Sequence, residues 1–457
     1  MTKPMNLLKR IKKIIFPTAV APADDLNPAL ANSIAFRVGI IEFSDNVESD
    51  SGASLARLLS SRDNLKVFYF DEPFSKSFLS LESRTLFDLI DKGQDIIDKT
   101  GADVIIWGCR EGEKIRLNFQ ISHQYENEEK SFVSLLDSLY IPARLFNDAA
   151  AFPPALLNLI YGAAISAVTP ENAEIRIFRR YLLKKIIHIL SQDNSAKNLS
   201  IEYMPYIMNF LGIIYLSYAY DQEDGHNFRT IHNLLDTALK HQDLITNPIH
   251  LGCIYYHIAQ LYDSATVYTT RNPSGYFKGA ISYYRQAQKY LSKYNYPYDY
   301  GHISYKLAGL FFNYWKQKED LQALRDAVFQ LREAEKIYTY ALFPEFWANI
   351  QGKLGQMLAL LGSITKSAEI SEIAITAYHN QQKVITERRS PLLWANIQES
   401  LGEIHYQLGR STGSDSHFEE ALEYFHDALF VYENNQLGSE AKKISSSIAK
   451  TRQYLAA

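Results

Sequence analysis

Residues 344–356 have the sequence PEFWANIQGKLGQ, and residues 391–403, which lie 47 positions later, have the similar sequence PLLWANIQESLGE. A related pattern occurs 47 residues before the first of these, as PYDYGHISYKLAG at 297–309, and 49 residues earlier still, as PIHLGCIYYHIAQ at 248–260. Self-similarity at a fixed period of this length is typical of proteins built from stacked repeats. The sequence therefore predicts a repeat array in the C-terminal part of the chain.

Small residues follow the same period in two further places. Alanines recur at 47-residue intervals, at Ala280, Ala327, Ala374 and Ala421. Each repeat also contains a large residue followed by a small one: Leu211-Gly212, Ile258-Ala259, Leu307-Ala308, Leu354-Gly355 and Leu401-Gly402. We interpret each repeat as a pair of helices, A and B, that approach each other closely at these small residues.

This pattern resembles the tetratricopeptide repeat, in which helix A carries leucine-glycine and then an aromatic residue, and helix B carries alanine, an aromatic residue and alanine. The first aromatic position is occupied by Tyr215, Tyr262 and Phe311, and the second by Tyr284, Tyr378 and Phe425. The pattern is broken by Leu358 and His405 at the first position and by Leu331 at the second. The resemblance implies a right-handed α-solenoid whose concave face binds a protein or peptide.

The predicted organisation of the helical part has three sections. A connecting helix pair is expected over residues 150–200, five repeats over 201–436 and a capping helix over 438–457. The usual tetratricopeptide period is 34 residues, so each repeat here has about 13 extra residues. We expect these in the A-to-B loop and in a longer helix B.

A different pattern precedes the repeats. The runs FRVGIIEF at 36–43 and KVFYF at 66–70 are typical of short strands, and a helical stretch at 53–59 separates them. A second helical stretch at 85–101 is followed by two strands around the turn at 110–113. Strand, helix, strand, helix and hairpin in this order predict a small mixed sheet with packed helices over residues 35–145.

The segments FRVGIIEF and GADVIIWGCREGEKIRLNFQIS resemble the amino-terminal domain of TolB-like bacterial proteins. Together with the repeats, the chain resembles long-period bacterial tetratricopeptide proteins in which such a domain precedes the solenoid. The resemblance implies an α/β plus all-α fold class, with a binding or docking domain followed by a solenoid, in a bacterial cytoplasmic protein.

The first 16 residues combine an apolar stripe with a basic face and contain no acidic residue. The stripe includes Leu7, Leu8, Ile11 and Ile15, and the bases include Lys9, Arg10, Lys12 and Lys13. This pattern predicts an amphipathic helix over 1–16, followed by a linker over 17–34. One hypothesis is peripheral attachment to the anionic surface of the inner membrane, and the alternative is a terminal helix docked on a partner.

Charge and cysteine content exclude some classes of protein. The 457-residue chain has 47 basic and 51 acidic side chains, a formal net charge of −4, which argues against a dedicated nucleic-acid binder. Two cysteines are too few for a disulfide framework, so a reducing compartment is expected.

The sequence contains no P-loop, dinucleotide fingerprint, HExxH, GxSxG or CxxC motif. None of its 12 histidines has another at i+3 or i+4, so we expect no metal, no cofactor and no catalytic residue. The acidic segment 221–225 lacks calcium-loop spacing and is interpreted as a solvated loop between helices.

The resemblance to tetratricopeptide repeats also implies which residues line a peptide-binding groove: Tyr206, Asn209, Tyr256, Gln260, His302, Tyr305, Asn313, Asn349, Gln356, Asn396, Glu399 and Tyr406. This set is polar and aromatic, with one acid and no Lys or Arg, which suits an extended or helical peptide. Five further rings are concentrated where the second and third repeats meet, and we expect a partner contact there: Tyr290, Tyr294, Tyr296, Tyr298 and Tyr300.

The leading hypothesis is a non-enzymatic scaffold or adaptor that binds a protein partner through the concave face of its repeats. The alternative is a sensor in which the α/β domain binds a small molecule and the repeats relay its occupancy to a partner.

Overall fold

The computed structural model describes residues 34–44, 50–62, 64–74, 81, 83–122, 133–170, 172–192, 199–222, 227–268 and 273–456. The predicted helix over 1–16 and nearly all of the linker lie outside these residues. The chain divides into two compact units, Met1–Tyr296 and Pro297–Ala457.

The first unit contains a mixed five-stranded sheet. Its strands are β1 (Phe36–Ile41), β2 (Leu65–Phe70), β3 (Val104–Glu111), β4 (Lys114–Ile121) and β5 (Leu139–Pro142). In the order β2-β1-β3-β4-β5, β1 pairs in parallel with β2 and β3, and the other two pairings are antiparallel. The predicted small mixed sheet is therefore present, with the β3–β4 hairpin where it was expected. Strand β5 was not predicted.

Two helices link the parallel strands, α1 (Ser51–Leu59) and α2 (Ser83–Thr100). In the part of this unit that the structure describes, the remaining α-helices are α3 (Pro154–Ala167), α4 (Ala173–Gln192), α5 (Met204–Gln222), α6 (Phe228–Lys240), α7 (Ile249–Tyr268) and α8 (Pro273–Tyr290). Every residue of α3 except Pro154 is buried, because this apolar helix packs against strands on one side and helices on the other.

One hydrophobic core extends from the sheet to α7. It continues from Leu117 of the sheet through Ile160 of α3 and Phe210 of α5 to Leu261 of α7. The sheet, the connecting helix pair, the first predicted repeat and helix A of the second therefore share one core. For this reason the boundary between compact units falls at Pro297, whereas the sequence analysis placed domain boundaries near residues 145 and 200.

A buried ion pair joins α4 to α5. The Arg179 guanidinium donates from Nε to Asp221 Oδ2 at 2.7 Å and from a terminal nitrogen to Oδ1 at 2.6 Å. Both side chains are almost completely buried. The expectation of a solvated loop is therefore wrong for Asp221, which lies in the last turn of α5 and neutralises an otherwise unpaired buried charge.

The second unit is entirely helical in the residues described. Its helices are α9 (Pro297–Lys318), α10 (Leu321–Glu335), α11 (Pro344–Thr365), α12 (Ala368–Gln382), α13 (Pro391–Thr412), α14 (Asp415–Asn434) and α15 (Gly438–Leu455). Each of α9, α11 and α13 has 22 residues and begins at the proline of a repeat. Proline is favoured at this position because backbone N–H groups in the first turn of a helix have no acceptor within the helix, so the missing N–H costs no hydrogen bond. Each packs against the helix that follows it, so the predicted A and B helices are present here.

The small residues bring paired helices close together. A Cβ added at Gly355 would lie 2.8 Å from the Tyr378 ring, and one added at Gly402 would lie 2.7 Å from the Phe425 ring. Ala374 and Ala421 of the B helices are fully buried. The predicted close approach of helices A and B is confirmed at these positions.

In the second unit, the A-to-B loops do not hold the extra residues of the repeats. Two residues connect α9 to α10, α11 to α12 and α13 to α14, so the expectation of a long A-to-B loop is wrong. Each connection begins with a left-handed residue, Glu319, Lys366 or Gly413, which reverses the chain within a short distance. The B-to-A connections 336–343 and 383–390 are longer, and Tyr338 on the first of these is fully buried.

Among the helices in the described ranges, none combines the length and the hydropathy that crossing a membrane would require.

Candidate functional site

The four predicted groove residues of the first unit, Tyr206, Asn209, Tyr256 and Gln260, are all buried. Tyr206 and Asn209 lie on α5, and Tyr256 and Gln260 lie on α7. Since these side chains are already covered by other parts of the same unit, a partner could reach them only by displacing their neighbours.

The segment that ends in β5 covers the face of α5 that carries Asn209. Asn209 donates from Nδ2 to Asp137 Oδ1 at 3.1 Å, and its Oδ1 lies 2.9 Å from His257 Nδ1. His257 Nε2 in turn lies 3.2 Å from Asp137 Oδ2. Asp137, Asn209 and His257 thus form a closed, buried polar cluster that joins the sheet region to α5 and α7, and such a cluster fixes the packing partner of each helix.

An aromatic group lies beside this cluster. The Tyr140 ring of β5 is 4.5 Å from the Tyr206 ring, and the His250 ring is 5.7 Å from Tyr140 and 5.5 Å from Tyr206. Burial, with a further contribution from the Arg116 guanidinium, lowers the pKa of His250 to about 4. His250 is therefore a neutral, buried packing residue near neutral pH.

The other two predicted residues contact each other and the following helix. Gln260 donates from Nε2 to the Tyr256 hydroxyl at 3.3 Å, and the Tyr256 ring lies 5.8 Å from the ring of Tyr284 on α8. A groove-lining role for the four residues is incompatible with these contacts. The physical reason is that residues of the sheet region and of helix B already cover this part of helix A.

Two predicted residues of the second unit, His302 and Tyr305, are also buried. The Tyr305 ring packs on Phe346 at 4.9 Å, and the Lys353 ammonium lies 4.9 Å from the same ring. Contact with the next helix A therefore accounts for Tyr305, and neither residue is accessible as a groove contact.

The remaining six predicted groove residues reach the surface. Asn313, Gln356 and Asn396 are exposed, and Asn349, Glu399 and Tyr406 are half-buried. Asn349 and Gln356 are seven residues apart on α11, which places them on the same face of that helix. On α13, Glu399 follows Asn396 by three residues and Tyr406 follows Glu399 by seven, so these three residues also share one face. We call these six residues the polar stripe.

Part of the polar stripe is held in place by neighbouring helices. The Tyr432 hydroxyl of α14 lies 2.6 Å from Asn396 Oδ1 and 3.0 Å from Glu399 Oε2. Burial, and then the Glu399 carboxylate, raise the pKa of Tyr432 well above its ordinary value, so its hydroxyl remains a donor. Tyr406 packs against Phe418 and Tyr454. These contacts hold the side chains of the stripe on α13 in fixed orientations.

Tyrosines near residues 290–300 contact other residues of their own unit. The Tyr290 ring stacks on Tyr255 at 5.9 Å in the first unit. In the second unit, the Tyr298 ring contacts Phe343 at 5.1 Å, and the Tyr300 hydroxyl lies 3.5 Å from Glu333 Oε2. Tyr296 is half-buried. Tyr294, at 80% exposure, is the most accessible of the five rings.

A cluster that the sequence analysis missed lies between α13 and α14. His405 Nδ1 is 2.7 Å from Glu420 Oε2 and 3.3 Å from His417 Nδ1. Burial lowers the pKa of His405, so its imidazole is neutral near neutral pH. The search for neighbouring histidines on one helix could not find this cluster, because its residues come from two helices. The sequence did contain one indication of the cluster: His417 and Glu420 are three residues apart, which places both side chains on one face of α14.

Searches against protein-family models and against curated protein sequences give no match to this chain. Its function must therefore be argued from its own residues.

Proposed function

We propose that this protein is a non-enzymatic interaction scaffold whose helical repeats in residues 297–457 bind a protein or peptide partner through the polar stripe. The observation that carries the proposal is the alignment of partly or fully exposed amide, carboxylate and aromatic side chains along the A helices of that unit. In this proposal the helix pairs form a right-handed tetratricopeptide-like solenoid, preceded by a TolB-like domain.

The chemistry of the stripe favours a peptide ligand. Amide side chains such as those of Asn313 and Gln356 can both donate to and accept from a peptide backbone. The Tyr406 ring offers apolar area with little loss of conformational entropy, and the Arg410 guanidinium lies 5.8 Å from its centre. A partner with a mixed polar and apolar surface suits these groups better than an acidic tail, which would require several free bases.

The two units have different roles in this proposal. In the first unit, the face of α5 around Asn209 is occupied by residues 133–142 of the same chain. In the second unit, Gln356 has no comparable cover and is exposed. The first unit therefore acts as a rigid support, and the second unit supplies the binding surface.

Site-specific photo-crosslinking in the native host tests the proposal. A photoreactive phenylalanine analogue at Gln356 is expected to capture a partner, because this side chain is exposed on the A-helix stripe. The same analogue at Glu372, which is exposed on the B helix α12, is the matched control and is expected not to capture it. Identification of the captured chain by mass spectrometry would name the partner.

A second substitution separates specific from incidental capture. Gln356→Arg should abolish recovery of the same partner by the analogue placed at Asn313, since the two positions belong to one surface in this proposal. Equal capture from Gln356 and Glu372, or no capture from either stripe position, would contradict the proposal. A small molecule that instead raised the unfolding temperature of the sheet region would favour the sensor alternative.

A further inference from the structure

We infer that His405, His417 and Glu420 form a binding site for a zinc-type divalent cation that links helix α13 to helix α14. The three side chains each offer one ligand atom, and these atoms all lie within 4.8 Å of one another. Two imidazoles and one carboxylate are a ligand set that zinc accepts readily.

The distance between the two imidazoles fits such an ion. Two ligand atoms that are each about 2.05 Å from a tetrahedral zinc ion lie about 3.3 Å apart. His405 Nδ1 and His417 Nδ1 are separated by 3.3 Å. The Glu420 carboxylate lies closer, at 2.7 Å from His405 Nδ1, and its side chain is 44% exposed, so it is free to move back by the few tenths of an ångström that an ion requires.

The three ligand atoms share one proton when no ion is bound between them. If His405 Nδ1 carries that proton, it donates to the Glu420 carboxylate at 2.7 Å, and the His417 Nδ1 lone pair lies 3.3 Å from the same donor. A bound cation would replace this proton and accept a lone pair from each of the three groups, since metal ligands bind in their deprotonated form.

The surroundings favour an ion with an open coordination position. His405 is buried, whereas His417 and Glu420 are half-buried, so one side of the cluster faces solvent. A water molecule could complete tetrahedral coordination there. Magnesium and calcium prefer oxygen ligands in larger numbers, so neither should compete for a site with two imidazole nitrogens.

The test uses the untagged full-length chain, stripped of metal. Titration with Zn²⁺ in the presence of a chromophoric competing chelator is expected to show saturable one-to-one binding, and Mg²⁺ is expected to give no change. Titration with Co²⁺ is expected to produce the visible absorption bands of a tetrahedral nitrogen and oxygen site. Zn²⁺ should also raise the unfolding temperature of the second unit.

Variants assign the ligands. His417→Ala and Glu420→Gln are expected to weaken Zn²⁺ binding about tenfold or more, and neither removes a fully buried side chain. His379→Ala is the matched control, because this exposed histidine lies near Tyr424 beside the cluster and supplies none of its ligand atoms. The His379→Ala variant should bind Zn²⁺ with the same affinity as the wild type.

Two outcomes would overturn the inference. One is the absence of saturable binding at micromolar Zn²⁺. The other is a Zn²⁺ affinity that does not distinguish the ligand variants from the control. This would be seen if His417→Ala and Glu420→Gln left the affinity unchanged, or if His379→Ala lowered it as strongly as they do, and it would indicate that Zn²⁺ binds to scattered surface histidines. Because the two ligand substitutions are at half-buried positions, a retained circular dichroism spectrum will show that lost binding does not reflect unfolding.

Discussion

The close approach of helices A and B at Gly402 predicts a measurable cost for adding one methyl group. In Gly402→Ala the new Cβ would lie 2.7 Å from two carbons of the Phe425 ring, well inside van der Waals contact. Phe425 is itself buried, in a cluster with Ala421, Ala428 and Val431. The ring therefore cannot move away without disturbing its other contacts.

The expected change in the free energy of unfolding is the difference between two opposing effects. Alanine in place of glycine inside a helix stabilises by about 0.5–1 kcal/mol, whereas overpacking a core costs about 1–3 kcal/mol. We expect Gly402→Ala to destabilise the second unit by about 1 kcal/mol. Gly309→Ala is the control, because a Cβ at that helical position meets nothing within 4 Å and should stabilise by about 0.5–1 kcal/mol.

Tryptophan fluorescence during urea unfolding suits this measurement. Three of the four tryptophans, Trp315, Trp347 and Trp394, belong to residues 297–457. The midpoint should fall for Gly402→Ala and rise for Gly309→Ala, with little change of slope.

A double-mutant cycle identifies the cause. Phe425→Leu removes the ring that the new methyl would meet, so the cost of Gly402→Ala should shrink in this background by about 0.5–1 kcal/mol. If the two costs simply add, or if Gly402→Ala stabilises as much as Gly309→Ala does, the reasoning from close packing is refuted.

Three further changes test other parts of the structure. Asp221→Asn should destabilise the first unit by about 3–5 kcal/mol because it leaves the buried Arg179 charge without its partner, and hydrogen exchange of α4 would detect this; unchanged protection would contradict it. His250 has a folded pKa of about 4 against an ordinary 6.5, so the unfolded chain binds the extra proton between these values. Stability should therefore fall by roughly 3 kcal/mol as the pH is lowered through this window. His250→Gln should flatten that dependence. Lys366→Gly should raise the urea midpoint by the equivalent of about 1 kcal/mol, because Lys366 has a left-handed backbone that glycine adopts without strain, and a lowered midpoint would exclude this.

Local patterns allowed much of the fold to be predicted. The 47-residue recurrence gave the helix pairs of the second unit, because the prolines that begin the A helices and the small residues at A–B contacts are properties of neighbouring segments. The hairpin was predicted from its turn, where Gly112 has a positive φ. Strand β5 was missed, because its four residues, Leu139–Pro142, are too few to show alternation.

The exposed face of the A helices was harder to predict, since burial depends on distant parts of the chain. Asn209 and its partner Asp137 are 72 positions apart, and no repeat pattern reports that contact. The same limit applies to His405 and His417, which are 12 positions apart on two antiparallel helices. The resemblance to tetratricopeptide repeats assigned a groove position to the same place in every repeat. In the first repeat, however, residues of the sheet region cover that place.

Equivalent positions within the second unit fall into two groups, residues that pack between helices and exposed residues that the proposed partner could contact. The packing position is glycine in both of the last two repeats, as Gly355 and Gly402, because the facing aromatic ring leaves no room for a side chain. The next position is exposed, and it changes from Gln356 to Glu403. Residues that fill the space between helices are restricted by geometry, whereas exposed residues on the A helices are free to differ. Specificity for a partner is therefore expected at the positions that break the internal repeat, and substitutions that make the repeats more alike there should weaken binding without lowering stability.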